Sequence, residues 1–292
     1  MLPNRMSGGS TKSHFLRGVG VGENVVAGIR LEGEINSPMA DEVIEKLEEA
    51  EEDKRVVGIL LEVESPGGAV VPSQEMYDII TRIKAAKPVV AYIRDVAASG
   101  AYYTIAPASR IVANRGSMVG SIGVVLETFE ASELIAWAKL KPITLKTGKL
   151  KDAGSPTRPY SEDDKAYLQS LIDKTRAQFA DDVKKARGLS DLTLAHMSDG
   201  RVVLGTEAAN LKLIDKVGNR DDALDALEEL TKQKPLPEVY YMEETTQNVP
   251  LVFRYLFEEA SHSLGRGIAD GIRGGVDGAL QEGSRTRAPL RR

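Results

Sequence analysis

Arg94-Asp95-Val96-Ala97-Ala98-Ser99-Gly100-Ala101-Tyr102-Tyr103 follows an apolar run from Pro88 to Ile93, and this junction decides how the chain is read. A valine-rich run bounded by proline and charge reads as a buried strand. The small residues and tyrosines after it read as the start of a helix. Ser99 then stands at a strand-to-helix turn, which exposes its hydroxyl and brings helix N-terminal amides to where an oxyanion would develop. The plainer reading of the same ten residues is an N-cap serine with small neighbours for close packing. The flanks carry the decision.

Upstream, Val25 to Ile35 alternates around Val26, Ile29 and Leu31 and predicts a strand. Ser37-Pro38 opens a helix with Val43, Ile44, Leu47 and Ala50 on its apolar face. Val56 to Val63 is a near-continuous aliphatic run, as a strand covered on both faces of a parallel sheet requires. The unit is β-α-β, and the fold class is α/β. Directly after its second strand comes Glu64-Ser65-Pro66-Gly67-Gly68-Ala69-Val70, then a helix carrying Met76, Ile79, Ile80 and Ile83. Pro-Gly-Gly alone is an ordinary turn. At the end of a buried strand it sits where open α/β sheets place their ligands, and glycine lets the backbone amides come close.

Downstream, Arg110 to Asn114 reads as a short strand, and Ser117 to Leu126 as one punctuated by Gly120 and Gly123. A helix over about 130–138 holds the single tryptophan, Trp137, which reads as core. Residues 147–156 form a lysine-bearing loop, read as solvated surface. Ser161-Glu162-Asp163-Asp164 resembles a capping box opening a long helix, with Leu168, Leu171, Ile172, Phe179 and Val183 on one face and Gly188 past its end. A helical stretch near Leu192 to Met197, a closing strand over Leu213 to Gly218 and a helix over Asp221 to Lys232 follow. Pro235 and Pro237 mark the end of the compact part, before a strand-like Glu238 to Met242.

The whole chain is 292 residues, 42% hydrophobic and 28% charged, with a net charge of −5. That is an ordinary soluble composition, and the acidic balance argues against a nucleic-acid partner. With no cysteine, disulfides, thiol nucleophiles and cysteine-held metals are excluded. Residues 1–20 read as a flexible arm, 21–235 as the catalytic domain and 236–292 as a C-terminal extension. In that extension Leu264, Ile268, Ile272, Val276 and Leu280 recur every four residues among glycines that each cost a helix about 1 kcal/mol. Such a stripe needs another subunit or a membrane surface, or stays disordered. No apolar run is long enough for a signal peptide or a span, so the chain reads as cytoplasmic or membrane-associated.

A serine nucleophile needs a base. His14, His196 and His262 are far apart, which leaves lysines or carboxylates. A lysine must be neutral to serve, and that takes burial. Lys149 and Lys151 lie on one side of an extended segment, and spacing alone leaves the choice between them open.

Four stretches, in order, resemble the signal peptide peptidase A family of serine peptidases over roughly residues 25–232. They are Ser65-Pro66-Gly67-Gly68, Ala97 to Tyr103, Gly120-Ser121-Ile122-Gly123-Val124 and Gly148-Lys149-Leu150-Lys151-Asp152. The resemblance implies a ClpP/crotonase-like fold of stacked βαβ units in a single repeat. It also implies a Ser-Lys dyad cleaving unfolded or apolar peptides, such as signal-peptide remnants, in a homo-oligomeric ring or dome. By motif, Ser99 matches the nucleophile, Lys151 the general base and Lys149 a variable position. Ser121 matches a serine that hydrogen-bonds the lysine, and Gly67, Gly68 and Gly100 match the oxyanion region.

No metal or cofactor is required. Substrate would add as a strand along residues 67–70 and 120–124, touching Ala69, Val70, Ile122 and Gly123. The sequence departs from the family in lacking its N-terminal anchor, which leaves peripheral membrane association open, and in having Val203-Leu204 where an aromatic is usual. Two rivals remain, a crotonase-like acyl-CoA enzyme and a catalytically idle oligomeric binding protein.

Overall fold

β1 (Val25–Ile35), α1 (Ser37–Glu52), β2 (Val56–Gly68), α2 (Val70–Ile83) and β3 (Val89–Ala98) run as successive right-on-line β-α-β units in a computed structural model that describes residues 23–242. β1 pairs parallel with β2, and β2 parallel with β3. The two-residue period sends Ile59, Leu61 and Val63 of β2 to one core and Leu60 to another. Ala91 and Ile93 of β3 join the first core, Val90 and Tyr92 the second. Both faces are therefore covered, which is why these strands are aliphatic throughout. A fully buried side chain of this kind contributes about 1.5–3 kcal/mol.

After β3 come α3 (Gly100–Ile105), β4 (Arg110–Ala113), β5 (Met118–Gly120) and α4 (Ser132–Trp137). The chain continues with α5 (Glu162–Arg187), α6 (Asp191–His196), β6 (Val202–Leu204), α7 (Gly205–Asn210), β7 (Lys216–Val217), α8 (Arg220–Thr231) and β8 (Val239–Tyr241). The sheet order is β6-β5-β3-β2-β1-β8, with β4 pairing both β3 and β7, and only the β5–β6 pair is antiparallel. β3 is the hinge of this arrangement. Its first half pairs with β4 through Val90 to Ile93, and its last residues, Val96 to Ala98, pair with β5. Helices α1, α2, α3 and the C-terminal part of α5 bury Leu47, Met76, Tyr102 and Phe179 in the larger core, while α8 covers the opposite face with Ala223 and Leu227.

Several sequence expectations change here. The strand expected over Ser117 to Leu126 ends at Gly120, because Gly120 (φ 108°) and Ser121 (φ 53°) turn the chain out of the sheet. Trp137 is not core: it is 82% exposed, and α4 buries none of its residues. The apolar face expected on the long helix is packed only at Phe179 and Val183, and Leu171 is exposed. Pro235 and Pro237 do not close the compact part, since β8 pairs with β1 and Met242 joins the core. The arm at 1–20 and the glycine-rich stripe from Leu264 to Leu280 lie outside the described residues. Among the described residues no helix is long and apolar enough to cross a membrane.

Candidate active site

Ser99 joins β3 to α3 with φ 51° and ψ −124°, a backbone conformation that costs a residue bearing a Cβ about 1–3 kcal/mol. Its N–H donates to Gly120 O (2.8 Å) and its carbonyl accepts from Tyr103 N–H (2.9 Å), so the strain is held from both sides. The N-cap reading fails on the hydroxyl. Asn36, Ser161, Ser190 and Asn219 each cap their helix with a side-chain oxygen, whereas the Ser99 side chain makes no capping hydrogen bond. Ser99 is half-buried and lines a cavity of about 80 Å3 with Gly68, Val70, Gly100, Tyr103, Gly123, Val124, Val125, Thr175 and Phe179.

The glycines are there for contact. A Cβ on Gly67 would lie 2.7 Å from Ala98 O and from Gly100 N, and one on Gly68 would overlap the Ile35 backbone. A Cβ on Gly100 would meet Ser73 Oγ and come within 3.3 Å of Gly68 N. The end of β2 is thereby pressed against the serine turn. The Gly67 N–H is engaged with Ser65 Oγ (3.1 Å). Gly68 and Gly100 line the cavity beside Ser99, and the Gly100 N–H belongs to the first turn of α3, whose amides have no partner within the helix.

Of the expected substrate contacts, Val70 and Gly123 line the cavity, but Ile122 is buried in the core. Ala69 N–H donates to Ile35 O (2.8 Å) and α2 begins at Val70, so no open strand edge exists at these two positions. Residues 121–131 carry no regular structure and pass the cavity with Gly123, Val124 and Val125. Ser121 is half-buried and its N–H donates to Arg201 O (2.8 Å). His196 faces Glu207 at 3.7 Å and does not line the cavity.

Lys151 lies in the turn closed by Ala153 N–H to Leu150 O (3.1 Å). It is exposed, does not line the cavity, and makes no hydrogen bond or ion pair among the described residues. Its neighbours differ. Lys149 pairs with Asp163, and Lys146 Nζ sits 2.5 Å from Asp152 Oδ1. The site also draws on residues that motif reading missed. Tyr103 Oη donates to Asp182 Oδ2 (2.5 Å) and its ring stacks on Phe179 with centroids 4.5 Å apart. Burial first, and then Asp182, push the Tyr103 phenol well above its ordinary range, so it stays a neutral wall of the cavity. Tyr103 was visible in the sequence, but its partners on α5, Phe179 and Asp182, lie about 80 residues away, beyond any local signal.

The model of peptidase family S49 matches residues 81–234, and a Clp protease model matches residues 25–118. A protein of Methanocaldococcus jannaschii named as a protease is 37% identical over 233 residues, which make up 79% of this chain and 73% of that one. An Enterococcus faecium protein named as a signal peptide peptidase, SppA, is 33% identical over 69% of this chain and 59% of its own length. Among solved structures, a membrane-bound stomatin-specific protease, 1510-N, in a serine-to-alanine form, superposes with a TM-score of 0.51 at 16% identity. That match covers 76% of this chain and 98% of the other. The fold is thus the ClpP/crotonase-like one that the motifs implied.

Proposed function

Because this chain belongs to peptidase family S49, we propose that it is a serine endopeptidase in which Ser99 is the nucleophile and Lys151 the general base. The observation that carries the reading is the Ser99 turn: a strained serine whose hydroxyl caps nothing and which lines a cavity with Gly68, Gly100 and Gly123. In this account Ser99 Oγ attacks the scissile carbonyl while neutral Lys151 Nζ takes its proton. The N–H groups of Gly68 and Gly100 stabilise the oxyanion, and the lysine returns the proton to the leaving amine. Water then attacks the acyl-serine while Lys151 accepts its proton, and the lysine passes that proton to Ser99 Oγ as the ester bond breaks, releasing the acid product. Gly67 acts by its shape, since its N–H is already used by Ser65. Ser121 would orient the lysine.

Lys151 is favoured over Lys149 and Lys146 because those two are ion-paired and it is not. An exposed lysine is a poor base until something takes it out of water. We therefore place the working dyad in a homo-oligomer, where a neighbouring copy covers the loop or supplies Lys151 to a second Ser99. The substrate is an unfolded, apolar peptide of the signal-peptide-remnant kind. Its backbone runs along 123–125, and a small apolar side chain enters the cavity walled by Val70, Tyr103 and Phe179. Turnover of an apolar fluorogenic peptide tests this. Ser99→Ala and Lys151→Ala should each lose at least about 10³-fold, with the double variant no worse, while Lys149→Ala keeps most of the activity. A dead Lys149→Ala beside an active Lys151→Ala would move the base by two residues.

A further inference from the structure

We propose that Arg158 is a positioning residue for the reaction: its guanidinium joins Asp152, next to Lys151, to Asp164 at the start of α5, and so fixes the turn that carries the base. This rests on the reading of Lys151 as that base. Arg158 Nε lies 3.0 Å from Asp152 Oδ2, and Nη2 lies 2.9 Å from Asp152 Oδ1 and 3.2 Å from the Asp152 carbonyl. From the other edge, Nη1 reaches Asp164 Oδ2 (2.5 Å) and Pro159 O (3.1 Å), and Nη2 also reaches Asp164 Oδ1 (3.0 Å). All three nitrogens are engaged. The planar fork suits two carboxylates at once, a geometry that lysine cannot reproduce.

The anchor is firm where the loop is not. The Asp164 side chain is 2% exposed, and it also closes the α5 capping box by accepting from Ser161 N–H (2.9 Å) and Ser161 Oγ (2.8 Å). The loop itself is exposed over residues 146–151; its other side-chain ties are Lys146 to Asp152 and to the Lys149 carbonyl (3.1 Å), and Lys149 to Asp163. Arg158 therefore transfers the rigidity of a 26-residue helix to an exposed turn. The same helix lines the Ser99 cavity with Thr175 and Phe179. From Asp164 to Thr175 is 11 residues, or roughly 16 Å of helix axis, so α5 acts as a ruler between the base loop and the cavity wall. A lysine whose turn drifts by about 1 Å loses its reach to the serine hydroxyl, a displacement that can cost on the order of 10²-fold in rate.

The test compares Arg158→Ala, Arg158→Lys, Lys151→Ala and the Arg158→Ala/Lys151→Ala pair, using peptide turnover by the full chain and thermal melting. The expected result is a kcat lower by about 10- to 100-fold in Arg158→Ala with KM little changed, and recovery on adding millimolar guanidinium. Arg158→Lys should also lose kcat, and Arg158→Ala should cost nothing further in the Lys151→Ala background. A wild-type kcat in Arg158→Ala beside a dead Lys151→Ala overturns the clamp and leaves the base assignment standing. Near wild-type turnover in Lys151→Ala overturns the base assignment instead. If Arg158→Ala fails to fold, Arg158→Lys decides: lower kcat at unchanged KM and melting temperature supports the clamp, and unchanged kcat overturns it.

Discussion

At Ser99 the backbone and side chain carry different information. The strand-to-helix turn was legible because it is local: an apolar run, the small residues Ala97 to Ala101 and two tyrosines in sequence. Whether the serine capped α3 or stood free was not legible, because that depends on φ 51° and on the Gly120 carbonyl that holds the turn. The same limit applied to the lysines. Lys149 and Lys151 are equivalent by spacing, and what separates them is the pairing of Lys149 with Asp163, a residue on α5 twelve or more positions away. The glycines offer a direct check. Gly68→Ala drives a methyl into the Ile35 backbone, so melting should show a loss of about 1–3 kcal/mol, with turnover falling at least tenfold as the Gly68 amide moves. Gly116→Ala, where a Cβ meets open space, should be near neutral in both measurements. Equal behaviour of the two variants would remove Gly68 from the site.

At the scale of elements, β1 through β3 followed their apolar pattern to within a few residues, because both faces of each strand are buried and no tertiary rescue is needed. The reading failed where the pattern stayed apolar but the backbone turned. Ile122, Val124, Val125 and Leu126 look like more strand, yet after the positive φ angles at Gly120 and Ser121 only Ile122 stays in the core, while Val124 and Val125 pass the cavity. The α5 capping box was read correctly, but its link to Arg158 was not, since a charge six residues from each partner has no period to reveal it. Arg158 holds both Asp152 and Asp164 well below the usual carboxylate range, helped by Lys146 at the first and Ser161 at the second. A lowered folded-state pKa gives stability that is present above the unfolded value, near 3.9, and is lost as pH falls through the folded one. The melting difference between wild type and Asp164→Asn should therefore be constant from pH 8 to about 5 and shrink below about pH 4. A difference that shrinks already between pH 8 and 6 would mean another group governs this end of α5.

The molecule as a whole exposes apolar side chains where a self-sufficient domain would not. Phe129 (71%), Trp137 (82%), Ile143 (87%) and Leu145 (94%) lie in one stretch of chain that also carries Lys151. Such a stretch predicts a covering surface, and the sequence misled here because exposed apolar residues read the same as core. Trp137 is the only tryptophan, so its emission reports on this stretch directly. Emission should be blue-shifted in the assembled protein and move to the red as dilution dissociates it, in step with light scattering. Red emission from a particle that scatters as an oligomer would place the interface elsewhere. The central claim is that Lys151 activates Ser99, and intact-mass analysis after a fluorophosphonate probe tests it most directly. The account predicts one adduct per chain, located on Ser99, absent in Ser99→Ala, formed far more slowly in Lys151→Ala and unaffected in Lys149→Ala. An adduct on another serine, or wild-type labelling of Lys151→Ala, would contradict it.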